Sequence, residues 1–138
     1  MRSHTAANIL FISNDEDICR MVESWLSRER NDVVTSAADL EMVWTFTTQQ
    51  LPDLIILEFS YTAQVFEHQL GFPVYQQLRA IESLKRVPVL LWMVPNPKRV
   101  KPEAQRLGMA GYVAMPSDMQ ELLKAHDVIL AGGTYYPE

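Results

Sequence analysis

The stretch Pro52 to Ser60, PDLIILEFS, carries four apolar residues, Leu54 to Leu57, straight into Glu58. A carboxylate at the tip of an apolar run can serve as a nucleophile, a metal ligand, a fixed charge or a solvated strand end. Other groups with chemical reach hold comparable places. Ser13, Asn14 and Asp15 follow the run Ile9 to Ile12, Met93 and Val94 end VPVLLWMV, and Met115 and Pro116 follow Tyr112-Val113-Ala114. Runs that are apolar throughout suit strands buried on both faces of a parallel sheet, and such sheets keep their chemistry outside the C-terminal strand ends. The spacing therefore brings these residues to one edge. Two further candidates read as bland: Glu67-His68 as a surface pair rather than a metal site, and Cys19, inside an amphipathic pattern, as a packed or surface thiol.

The elements that must position these residues alternate along the chain. SNDED after the first strand offers caps for a helix with Ile18, Met21, Val22, Trp25 and Leu26 on one face. Val33 to Thr35 is a short β-branched strand, and Asp39 caps a helix built on Leu40, Val43, Trp44 and Thr47 that Leu51-Pro52 stops. After the third strand, a helix from about Phe72 turns Tyr75, Leu78 and Ile81 inward and Arg79 and Glu82 outward. Val87 to Val94 is the fourth strand, with Pro88 tolerable only near its start. Pro97 and Pro102 each remove an amide donor, so the next helix is expected only over Glu103 to Leu107. Gly108 and Gly111 mark the turn into the fifth strand. Asp118 with Glu121 forms a capping box for a last helix presenting Met119, Leu122, Leu123, His126, Ile129 and Leu130, ended by Gly132-Gly133.

This order predicts an α/β fold, a doubly wound five-stranded parallel sheet with helices on both faces, in a single domain. At 138 residues the chain can bury a core without disulfides or structural metal. Its net charge of −5 opposes a chain-wide attraction to nucleic acid or anionic membrane. Lys85, Arg86, Lys98, Arg99 and Lys101 read as a locally basic, solvated surface. No apolar run approaches the roughly 20 residues of a membrane helix, and MRSHTAAN lacks the apolar stretch of a secretory signal. With one cysteine, nothing calls for an oxidising compartment, and a soluble cytoplasmic protein is expected.

The segments PDLIILE, RVPVLLWMV, LGMAGYVAMPSDMQELLKA and ILAGGTYYPE, in this order and spacing, resemble the receiver domains of bacterial two-component response regulators over almost the whole chain. The resemblance implies a flavodoxin-like (βα)5 core over about residues 8–131, with 132–138 as the start of a linker. It also implies a family site: an aspartate that takes a phosphoryl group, an acidic pair that helps it hold Mg²⁺, a Ser or Thr, and a Lys before proline. Carried over position by position, the acceptor falls on Glu58, the acidic pair on Ser13 and Asn14, the hydroxyl on Met93 and the lysine on Met115. A register slip after the first strand puts Asn14 and Asp15 at the acidic positions instead.

Each replacement has a chemical meaning. Glu58 lengthens the side chain by a methylene, beyond the tolerance of in-line displacement. Ser13 and Asn14 offer neutral oxygens where a hard dication wants carboxylates. Met115 lacks the ammonium that would pair with phosphate, and Met93 the hydroxyl that would donate to it. Two roles stay open for Glu58: a solvated acid, or a permanent stand-in for the charge of a phospho-aspartate. The segment FSYTAQVFEHQLGFP is longer than the family's loop and is expected to lie over the vacated crevice through Tyr61 or Phe66, or to meet a partner.

The leading expectation is a degenerate receiver, or pseudo-receiver. It is a signalling module of a phosphorelay, not an enzyme, with no catalytic residue, no cofactor and no metal, acting by protein contact. A histidine kinase or an output domain is the implied partner. Homodimerisation through helix four, strand five and helix five is implied as well, on a face carrying Tyr112, His126 and the basic cluster. Direct nucleic-acid or membrane binding is not expected. One alternative is a small-molecule-binding or enzymatic derivative with an apolar crevice. The other is an active receiver phosphorylated on Glu58 or Asp15.

Overall fold

The computed structural model describes residues 6–59, 72–115 and 118–137. The first strand, β1 (Asn8–Ile12), leads into α1 (Glu16–Arg30), whose N-terminus is capped by Asp15 accepting from the Ile18 amide and whose C-terminus closes on Asn31 in the left-handed region. Then come β2 (Val33–Ala37), α2 (Leu40–Thr47) capped by Asp39, and β3 (Leu54–Glu58). Beyond the undescribed stretch lie α3 (Phe72–Arg79), a 3₁₀ turn at Glu82–Leu84, β4 (Val89–Val94), α4 (Pro97–Leu107), β5 (Gly111–Ala114) and α5 (Met119–Leu130). The strands form one sheet of order β2-β1-β3-β4-β5, and every pairing is parallel.

Strand alternation divides the interior in two. Leu10, Ile12, Ile55, Leu57, Val89 and Leu91 face one cluster with Val43, Tyr75, Leu78, Val100 and Ala104 of α2, α3 and α4. Ile9, Phe11, Leu54, Ile56, Leu90 and Trp92 face the other with Val22 and Leu26 of α1 and Leu122, Ala125 and Ile129 of α5. Each fully buried aliphatic contributes about 1.5–3 kcal/mol relative to exposure, so the sheet's two faces anchor the helices more than helix propensity does.

Several expected facings are corrected. Met21 is exposed, and Cys19 takes its place beside Val22 and Leu26. Trp44 is 57% exposed, because α2 turns Val43 into the core and the next residue lies about 100° around the helix. Arg79, expected outward, folds over the ring of Tyr75 and donates to the carbonyls of Leu84 and Val87 at 2.6 and 2.7 Å, satisfying the 3₁₀ turn. The short helix expected at Glu103 to Leu107 is a full α4 from Pro97, with Pro102 inside it. Pro97 occupies the first turn, where its missing amide costs nothing; Val100 and Ala104 are buried on either side of Pro102, while Lys98, whose carbonyl loses a donor, faces solvent. The expectations for Tyr61, Phe66, Glu67 and His68 lie outside the described residues, as does Pro116.

The last residues continue the sheet. Tyr135 pairs in parallel with Gly111 on the outer edge of β5, so the segment read as the start of a linker lies against the domain. No helix among the described residues is long and apolar enough to cross a membrane.

Candidate functional site

The register of β1 against β3 sets the site. Ile12 pairs with Leu57, so the next residues, Ser13 and Glu58, sit side by side at the C-terminal edge. The Ser13 hydroxyl donates to Oε1 of Glu58 in a buried hydrogen bond. It also accepts from the Asp15 amide at 3.1 Å, while the Ser13 amide donates to Ala37 O at 3.0 Å and carries the ladder one residue further toward β2. Glu58 pairs on its other side with Trp92. Enclosed between β1 and β4, its side chain belongs to a residue only 4% exposed, which corrects the reading of a solvated strand end.

The remaining site residues diverge. Asn14 and Asp15 are exposed on the rim, and the Asp15 carboxylate is engaged as the cap of α1. Met93 has φ 65 at the point where the β4–β5 register slips between Trp92 and Val94, and it packs against the α1–α5 cluster, on the same face as Trp92. A bulge with a left-handed residue explains this break in alternation. Met115 is 46% exposed, while its amide donates to Val94 O at 2.9 Å and keeps the backbone tied to the sheet. Among the described residues, the strand register thus sets Ser13 and Glu58 in direct contact.

Some neighbours escaped sequence reasoning. Cys19, about one helical turn beyond the cap, donates its thiol to Ser13 O at 3.6 Å, and burial pushes its pKa up, which makes it a poor nucleophile at neutral pH. Ser36 donates to the Glu23 carboxylate at 2.5 Å across a groove of about 350 Å³ that also touches Ser13, Asn14, Arg20 and Met42. Strand alternation could have placed Ser36, but not its partner. Among the described residues no group of three or more His, Cys, Asp or Glu is arranged to hold a metal ion.

The layered order β2-β1-β3-β4-β5 recurs in known proteins. A two-component response regulator of the LuxR family from Aurantimonas sp. superposes with a TM-score of 0.77 at 19% identity, over 96% of this chain and 90% of that one. The chemotaxis response regulator CheY4 of Vibrio cholerae gives 0.71 at 23% identity, over 89% and 98% of the two chains. The chain has the receiver fold. A third receiver domain, that of a Pseudomonas aeruginosa sensor histidine kinase solved with magnesium in its active-site cleft, matches at 0.64 and 21% identity over 91% of this chain and 95% of that one. No protein-family model matches the sequence, and no curated protein is detectably similar to it. Within the receiver fold, the edge holding Ser13 and Glu58 is the one where strand-end chemistry belongs.

Proposed function

We propose that this chain is a receiver-like signalling module of a two-component system that takes no phosphoryl group and acts by contact with other proteins. The observation that carries the reading is the buried hydrogen bond from Ser13 to Glu58. A phosphoryl acceptor must present an oxygen in line with the incoming phosphorus, and a carboxylate held inside the sheet edge by its neighbour is poorly placed for that. The same serine stands where a metal-binding acid would help neutralise the transferring group. Neither methionine compensates: Met115 is exposed without a cationic head, and Met93 is packed against the α1–α5 cluster.

A kinase, an output domain or a second copy remains the partner class in this reading, with α4, β5 and α5 as the docking face. The composition of that face differs from expectation. Tyr112 is buried and His126 points to the α1 side, so the accessible groups include Lys98, Arg99 and Lys124, with the half-buried Lys101 and Glu121 beside Pro137. A ligand-binding derivative has less support, since the groove beside Ser13 sets the charges of Glu16, Arg20 and Glu23 among the apolar walls of Cys19, Ala38 and Met42, and the carboxylate of Glu23 is already taken by Ser36. The test is incubation with acetyl phosphate and Mg²⁺ followed by intact-mass measurement. No added phosphate is expected; a stoichiometric adduct on Glu58 or Asp15 would overturn the reading.

A further inference from the structure

β5 has β4 on one side, and its other edge would present unpaired backbone groups if nothing lay against it. What lies against it is the chain's own tail. Tyr135 N donates to Ala110 O at 2.8 Å and Tyr112 N donates to Tyr135 O at 3.0 Å, the two bonds of a parallel ladder. Side chains reinforce the pairing from both ends. The Tyr112 hydroxyl donates to Pro137 O at 2.7 Å, the Tyr135 hydroxyl to the Glu121 carboxylate at 3.1 Å, and the Tyr136 hydroxyl to Met109 O. The rings of Tyr112 and Tyr136 meet edge to face at 6.1 Å.

We propose that the outer edge of β5 is a docking site for an extended peptide segment, occupied in cis by residues 134–137, so that a partner strand enters only when this tail leaves. The site is shaped for backbone. A β-carbon on Gly111 would stand 2.1 Å from Tyr135 O, so the glycine leaves the space that the added strand fills. Partial burial and the neighbouring Tyr75 push the Tyr136 phenol up to about 12. The tail is also detachable. It follows Gly132, at φ 98, and Gly133, and it contributes a single bridge rather than a full strand.

The chemistry of the fitting segment can be read from the resident one. It is extended and adds in parallel, with one tyrosine directed to Glu121 and the next against Tyr112. Next to Pro137 runs a groove of about 390 Å³ lined by Lys98, Lys101 and Glu121; the carboxylate already accepts from Tyr135, so the two lysines favour an acidic side chain in the groove. This inference does not depend on whether Glu58 takes phosphate.

The test uses the full chain carrying Tyr135→Pro, which removes the amide that bonds Ala110 and undocks the tail while leaving β5 unchanged. The probe is a fluorescent peptide of the sequence GTYYPE. Anisotropy should show binding to Tyr135→Pro at least tenfold tighter than to the parent chain, and loss of that binding when Gly111→Val is added. Equal binding to parent and variant, or none to the variant, would overturn the proposal. Should Gly111→Val fail to fold, hydrogen exchange at the Tyr112 amide decides. It should quicken in Tyr135→Pro and slow again with peptide; exchange unchanged by the variant or the peptide overturns the proposal.

Discussion

His126 and Asp32, 94 residues apart in sequence, meet at 2.6 Å in the interior, the imidazole Nε2 against the carboxylate. The contact joins α5 to the turn between α1 and β2. On the other side of the ring, Nδ1 lies 2.9 Å from Asp127, which is held by Arg30 through two bonds of 3.0 and 2.8 Å. The result is a chain of alternating charge, buried at Asp32 and His126 and reaching solvent at Arg30.

This chain makes stability depend on pH. Burial acts to lower the pKa of His126, but the hydrogen bonds to Asp32 and Asp127 outweigh it and raise it above 6.5. Its contribution is therefore complete below 6.5 and fades as pH rises through the folded value. Asp127, lowered first by the Arg30 hydrogen bond, contributes above its ordinary 3.8, and that part is lost on acidification through its folded value. Urea midpoints should fall from pH 6 toward pH 9. His126→Leu should flatten this slope and cost about 3–5 kcal/mol, because Asp32 is left buried without its partner. Parallel pH profiles for parent and variant would contradict the assignment.

Ser13→Ala should destabilise the protein by about 1–3 kcal/mol, since it removes a hydrogen-bond donor from a buried carboxyl group. Glu58→Gln, whose amide oxygen can still accept from Ser13, should cost less, about 1 kcal/mol or under. Denaturant unfolding of the two variants measures the order. The reverse order would mean that the Ser13 bond is not what satisfies Glu58.

Pro102→Ala should stabilise the chain by about 1–3 kcal/mol. The new amide can bond the Lys98 carbonyl in the middle of α4, and this gain exceeds the unfolded-state entropy that proline had suppressed. A lower melting temperature for the variant would show that the ring itself packs in a way the helix depends on.

What the sequence disclosed and what it withheld follow from the range of each interaction. Leu54 to Leu57 and Val89 to Val94 are legible because burial on both faces leaves a run with no polar residue in it. Asp39 and Asp118 are legible because a cap acts on an amide three residues away. Trp44 misled, since a large apolar side chain at helical spacing is indistinguishable from a core residue until the helix is oriented. Pro102 misled because proline's local penalty is outweighed by burial of Val100 and Ala104 on either side. At the site, the positions of Ser13 and Glu58 were legible as strand ends, but their mutual bond depends on register between strands 45 residues apart. Asp32, in a dipeptide typical of a turn, gave no sign that it meets His126. Tyr135 looked like linker because its partner is another element's edge.

The two margins of the sheet are unlike. At β5 the tail already occupies the outer positions, whereas β2, bordered only by β1 among the described residues, leaves Val33 51% exposed. Open-ended growth of a sheet from molecule to molecule needs two accessible margins, one to add and one to receive. While the tail is docked only β2 qualifies, and β2 meeting β2 across a two-fold axis closes on itself. Association by this route ends at a pair and cannot propagate into a fibre.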